Sequence, residues 1–193
     1  GSLGEGYIFG GERVYTKWMD DIREAQREDG CIPDVVPAFW NYYTDGMVWQ
    51  SVLPIICEML YEHNGNIEPL RRNYGAMKKW MDHMRNRYMN SEGLITKEKY
   101  GDWCLPPESP ELIHSQDPSR ITRPELIATA YYCKVSQMMA RFATLLGESA
   151  DREDYMARAE AARKAFNRAF LHVGEGEAPT RYDHPLYPDE VYY

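Results

Sequence analysis

The 193-residue chain lacks long hydrophobic runs, is short of basic charge, and has few cysteines and histidines. No run of about 18 apolar residues occurs, so no segment can cross a bilayer as a helix, and no membrane partner is expected. Basic residues number 22 against 30 acidic ones, a net charge of −8. That balance argues against a nucleic-acid partner, because a phosphate-backbone binder needs a basic face to displace counterions. The four cysteines, Cys31, Cys57, Cys104 and Cys133, are far apart, with no C-x-x-C pair and no histidine at zinc-finger spacing. No metal or other cofactor is expected on that ground. Cys57 and Cys133 fall inside apolar helical stretches, where a free cysteine acts as a small buried hydrophobe. The five histidines, at 63, 83, 114, 172 and 184, have no serine or cysteine nucleophile context, so none is assigned catalysis. No signal peptide is visible, and the opening Gly1-Ser2-Leu3 looks like a remnant of expression cloning. Residues 1–11 are therefore read as an unassigned lead and 12–193 as the domain.

What the chain does have is a core and many rings. Hydrophobic residues make up 44% and charged residues 27%, which suits a packed domain and not disorder. Fifteen tyrosines and five tryptophans are plentiful; many can be core, and that number also suits a carbohydrate-facing surface.

Periodicity predicts helices and no sheet of consequence. The first runs from about Glu12 to Glu28, with Val14, Trp18, Ile22 and Ala25 as its stripe and Asp29-Gly30 as the stop. The second spans about Asp45 to His63 and is apolar on most faces, with Pro54 predicting a kink or a late start and Asn64-Gly65 closing it. The third, about Glu68 to Met89, carries Leu70, Tyr74, Met77, Met81, Met84 and Tyr88 at alternating spacings of four and three. The fourth opens on Thr122-Arg-Pro-Glu125, a candidate capping box, and continues to about Leu146 before Gly147. The fifth covers about Arg152 to Phe170, with Tyr155, Ala159, Ala162, Phe166 and Phe170 on one face.

Helices two and four are apolar nearly all round, whereas one, three and five have charged outer faces. The connections alternate as well, at about 16, four, 32 and five residues, and loops beyond about 12–15 residues are uncommon unless functional. Stacked antiparallel hairpins with inner and outer helices, and both long loops on one rim, produce this pattern: an α/α toroid. A generic α-solenoid competes, but no 34- or 40-residue self-similarity supports it.

The long loops carry the candidate chemistry. Asp29-Gly-Cys-Ile-Pro-Asp-Val-Val-Pro37, Asn73-Tyr-Gly-Ala-Met-Lys-Lys-Trp80, Gly101-Asp-Trp103 and Glu125-Leu-Ile-Ala-Thr-Ala-Tyr-Tyr132 occur in order and at compatible spacing. Together they resemble the catalytic domain of bacterial α-L-rhamnosidases, glycoside hydrolase family 78, over roughly residues 12–170. The resemblance implies an all-α fold of antiparallel helical hairpins forming part of an (α/α)6 barrel. It also implies inverting hydrolysis of terminal α-L-rhamnosyl groups, and hence a rhamnose-containing glycoside as partner. An inverting site needs an acid and a base carboxylate about 6.5–9.5 Å apart, with water between them. In the family the acid belongs to an Arg-Asp-Glu-Arg-x-Gly-Trp-like motif upstream of the matched region, and the base is a distant downstream Glu. Neither motif is found here, so the chain reads as a fragment without the catalytic carboxylates, inactive alone, from a parent that the family suggests is secreted or periplasmic.

The resemblance does carry sugar-binding residues over: Trp103, Trp49 and, as acceptor for a hydroxyl, Asp102. L-rhamnose is a 6-deoxy sugar whose methyl and axial hydrogens suit an indole face, while its hydroxyls need polar partners. Where many members have Trp-Gly-Asp, this chain has Trp49-Gln-Ser51. Packing remains the alternative role for both tryptophans; Trp18 and Trp80 read as structural, and Trp40 as a rim residue without a match. Asp34, between two prolines, reads as a loop brace. Two other functions stay open, an (α/α)6 enzyme for another sugar (glucosidase-like or unsaturated glucuronyl hydrolase-like) and a non-catalytic helical interaction module. If helices two and four are inner helices lacking neighbours, they expose an apolar patch that drives self-association, with a homodimer as the expected form.

Overall fold

Helix formers recur with a 3.6-residue period in five stretches, and five helices form there in the computed structural model, which describes residues 4–5, 8–101, 122–174 and 181–182. They are α1 (Glu12–Glu24), α2 (Val52–Asn64), α3 (Glu68–Tyr88), α4 (Pro124–Leu146) and α5 (Ser149–Phe170). A two-residue ribbon, β1 (Leu171–His172) antiparallel to β2 (Arg181–Tyr182), follows α5 and pairs Leu171 with Tyr182. The all-α reading holds.

Stop signals act where the sequence puts them for α2 and α4. Gly65 (φ 67°) and Gly147 (φ 80°) take the left-handed conformation that caps a helix C-terminus. Pro54 sits in the first turn of α2, where its missing N–H costs nothing, so the outcome is a late start and not a kink. Two local expectations fail. First, α1 ends at Glu24, before Asp29-Gly30, and its buried face is Met19 and Ile22, with Tyr15 and Trp18 against the core and Val14 exposed. Second, the capping box at Thr122 does not form. Pro124 takes the first helical position, which makes Arg123 the N-cap, and no side chain caps the helix.

The core is continuous through α1 to α4 and reaches α5, built from Met19, Leu53, Ile56, Leu60, Leu70, Met77, Trp80, Met84, Tyr132, Phe142 and Tyr155 among others. Helix α3 lies at its centre, against α1, α2 and α4, and ten of its residues are buried. The hairpin α4–α5 has the most extensive helix–helix contact, and Leu94, Ala165 and Phe170 form a small second cluster at its far end. Helices α2 and α4 touch, as expected, but the exposed apolar patch on them is absent. None of their large hydrophobic side chains is fully exposed; Val52, Ile55, Leu126, Ile127 and Tyr131 are half-buried, with Val52, Ile55 and Tyr131 against the main core and Leu126 against the small second cluster. The exposed large hydrophobics lie elsewhere, chiefly Val35, Phe39, Trp40 and Tyr42 of one loop and Ile8, Phe9 and Val14 near α1.

Polar contacts fasten α3 to α5. Tyr74 Oη (3.0 Å) and Lys78 Nζ (2.6 Å) both donate to Asp151 Oδ2 in the first turn of α5, and Arg158 bonds Asp82 at 2.6 Å and Asp154 at 2.7 Å. Partial burial works to raise the Asp151 pKa, but the Lys78 and Tyr74 hydrogen bonds outweigh it and hold the carboxyl below its usual range. A depressed folded-state pKa adds stability that is present above the unfolded value of about 3.9 and is lost as pH falls through the folded value. Asp151→Asn is therefore expected to cost on the order of 1 kcal/mol at pH 7, and the gap from the native chain should shrink as urea unfolding is repeated toward pH 3.

Candidate functional site

The loop between α1 and α2 folds back on α3 because Gly30 permits it. Its φ is 100°, and a Cβ there would stand 2.5 Å from the Lys79 carbonyl oxygen, so no other residue lets the loop approach so closely. Beyond it, Asp34 organises the rim. Its Oδ1 accepts from the Thr44 amide (3.3 Å) and Gln50 Nε2 (2.5 Å), and its Oδ2 from Thr44 Oγ1 (2.7 Å) and Tyr100 Oη (2.8 Å). Asp34 is thus the brace that the sequence suggests, joining the first long loop, the entry to α2 and the second long loop.

Glu98 fixes the same junction from the other side. Its Oε2 accepts from the Met47 and Val48 amides (2.7 and 3.0 Å), and its Oε1 from the Lys99 and Tyr100 amides (both 3.0 Å). Gly46 makes room: a Cβ there would lie 3.2 Å from both Glu98 oxygens. The second loop is anchored further back by the Ile95 amide, which donates to buried Thr129 Oγ1 of α4 at 3.0 Å.

Between these two carboxylates stands Trp49. It lies in the turn just before α2 and stacks on Tyr100, with ring centroids 4.0 Å apart and planes 16° from parallel. Both rings are half-buried, so each keeps some surface in solvent. The Tyr100 hydroxyl is held protonated well beyond neutral pH, first by burial and then by its bond to Asp34. Of the expected sugar-binding residues, Trp49 is therefore on the rim in a defined orientation, while Asp102 and Trp103 lie outside the described residues. Gln50 and Ser51 turn inward. Gln50 bonds Asp34, and buried Ser51 donates to the Met47 carbonyl. Trp80 is buried and Trp18 Nε1 donates to the Val36 carbonyl (2.8 Å), both structural as read, while Trp40 is exposed and packs edge-on against Phe39.

The chain matches the family model for the bacterial alpha-L-rhamnosidase 6 hairpin glycosidase domain over residues 1–185. The chain belongs to that family. An alpha-L-rhamnosidase of Formosa agariphila is 29% identical over 164 residues, 84% of this chain and 17% of the relative. The solved α-L-rhamnosidase from Dictyoglumus thermophilum superposes with a TM-score of 0.76 at 29% identity, over 92% of this chain and 19% of that one. The Streptomyces avermitilis α-L-rhamnosidase, solved in complex with L-rhamnose, gives a TM-score of 0.69 at 28% identity, over 84% of this chain and 14% of that one. The chain thus spans less than a fifth of the length of these relatives. Its helical hairpins are those of a rhamnosidase-like glycoside hydrolase domain.

Tyr100 and Glu98 were not singled out from the sequence. Tyr100 opens the Tyr100-Gly-Asp-Trp103 segment and could have been found as a ring next to two expected sugar ligands, whereas the role of Glu98 depends on amides about 50 residues away. The brace can be checked directly. Asp34→Ala leaves the Thr44 and Gln50 donors and the Tyr100 hydroxyl without their acceptor, and is expected to cost about 2 kcal/mol in urea unfolding. Asp34→Asn, which keeps one acceptor oxygen, should cost less.

Proposed function

We propose that this chain is the part of an inverting α-L-rhamnosidase catalytic domain that lines the sugar pocket, in a protein that removes terminal α-L-rhamnosyl groups. The observation that carries the proposal is the Trp49–Tyr100 stack on the rim, held between Asp34 and Glu98 and followed directly in sequence by Asp102 and Trp103. In this reading Trp49 and Trp103 take the apolar face of the 6-deoxy sugar, and Asp102 accepts from one of its hydroxyls. Inversion requires a protonated carboxyl at the leaving oxygen and a carboxylate that activates water. Asp34 and Glu98 do not serve these roles here, because each is committed to four hydrogen bonds that hold the rim together. No Arg-Asp-Glu-Arg segment occurs in the 193 residues, so the acid and base come from elsewhere in the parent and the isolated chain does not turn over.

One observation favours a second reading. Where many family members present an aspartate, this chain has buried Ser51 bonded to its own backbone, so no carboxylate meets the sugar from that position. An (α/α)6 enzyme acting on another sugar fits that change.

Aryl glycosides test both readings. The full-length protein should cleave an aryl α-L-rhamnoside and release the inverted anomer first, followed by NMR. Trp49→Ala should raise KM about tenfold with a smaller change in kcat. Retention of configuration, or turnover by the isolated chain that vanishes on an Asp or Glu substitution within it, overturns the first reading. Preference for a different aryl glycoside establishes the second.

A further inference from the structure

Behind the rim, and apart from the aromatic stack, three side chains from distant parts of the sequence converge. Cys31 comes from the first long loop, Asp45 from the entry to α2, and His83 from the middle of α3. Their ligand atoms all lie within 4.8 Å of one another. The site is enclosed: Cys31 and the His83 side chain are each 3% exposed and the Asp45 side chain 12%. Asp45 also adopts a left-handed backbone (φ 56°), uncommon for a residue with a Cβ and sustained only when surrounding contacts fix it.

The hydrogen bonding around His83 is informative. Nδ1 faces the Asp29 carbonyl oxygen at 2.8 Å, and Nε2 faces Asp45 Oδ1 at 3.0 Å. Both partners are acceptors. A neutral ring with its hydrogen on Nδ1 satisfies the carbonyl but aims the Nε2 lone pair at a carboxylate, which is repulsive unless a cation lies between them. A metal ion bound at Nε2 and Oδ1 is such a cation. The remaining features match a metal site. A backbone carbonyl receiving the other ring N–H is the usual outer-shell partner of a metal-binding histidine. Tyr88 donates to the second Asp45 oxygen, fixing the carboxylate as an outer-shell donor does.

We infer that Cys31, Asp45 and His83 form a binding site for a borderline-soft divalent cation, Zn2+ or its analogue Co2+. Thiolate, imidazole and carboxylate are the donor types zinc takes, at about 2.3, 2.0 and 2.1 Å. At those bond lengths two nitrogen or oxygen ligands on one tetrahedral ion stand about 3.3–3.5 Å apart, so the Nε2–Oδ1 pair need open only by a few tenths of an ångström. Charge balances. Zn2+ with a thiolate, a neutral imidazole and a carboxylate sums to zero. Binding therefore displaces the Sγ proton, because the thiolate is the ligand, and buries no net charge. The bound ion pins the first long loop and the entry to α2 onto α3.

The test uses the chelator-treated 193-residue chain titrated with Co2+. One equivalent should bind with a thiolate-to-cobalt charge-transfer band in the near ultraviolet and the visible absorption of a low-coordinate site, and Zn2+ should displace it. Cys31→Ser should abolish the charge-transfer band, and His83→Gln should weaken Zn2+ binding by at least about a hundredfold, while Cys104→Ser and Cys133→Ser bind as the parent does. On the unaltered chain, zinc addition in weak buffer should release the thiol proton, a readout that needs no variant to fold. Absence of the band in the unaltered chain, a band that persists at full strength in Cys31→Ser, or zinc addition without proton release overturns the inference.

Discussion

The carboxylate of Asp34 joins three segments that no helix packing brings together. It bonds Thr44 of its own loop, Gln50 at the entry to α2 and Tyr100 of the second long loop. Because the Tyr100 hydroxyl ends on Asp34 and the Tyr100 ring lies on Trp49, the orientation of the indole depends on a carboxylate 15 residues away in sequence. Glu98 repeats the arrangement with four backbone amides. Hydrogen bonds to charged acceptors are stronger than neutral ones, and two such clamps give long connections a fixed shape that loop composition alone would not.

Beneath this rim α3 is the foundation. Trp80, Met77, Met81 and Met84 are buried in the shared core, and the helix also presents His83 and Tyr88 to Asp45. Burial tends to raise the Asp45 pKa, but the hydrogen bonds from Cys31, Tyr88 and His83 prevail and hold it below the usual carboxylate range. The same contact has the opposite effect on its donor: burial and then Asp45 push the Tyr88 phenol up to about 12. Burial likewise raises the Cys31 thiol, so it stays protonated unless something replaces the proton. A polar cluster with every member partnered suits its place, between a hydrophobic core and a loop that must stay fixed.

Legibility varied with the distance over which each signal acts. The stripe Leu70, Tyr74, Met77, Met81, Met84 is a property of one helix, and α3 forms almost to the residue predicted. Gly65 and Gly147 act on the turns they occupy. The Thr122 box fails for a local reason: Pro124 fixes the first helical position ahead of any threonine cap. The apolar breadth of α2 and α4 signals burial, but it does not say what buries them. Coverage by α1, α3 and α5 depends on packing that periodicity does not encode.

The sequence by itself determined an all-α chain, the order of its helices, the two long loops and the family motifs. It could do so because helix periodicity, glycine caps and proline positions are set by interactions within one turn or one helix. Only the tertiary structure decided that Tyr100 lies on Trp49, that Glu98 gathers amides from residues 47 and 48, and that Cys31, Asp45 and His83 share one enclosed point. Spacing along the chain argues against metal ligands, because it shows no C-x-x-C pair and no histidine at zinc-finger spacing. The close approach of the loop at Gly30 to α3 brings them together, and that contact depends on a backbone conformation and on packing, neither of which leaves a periodic trace in the sequence.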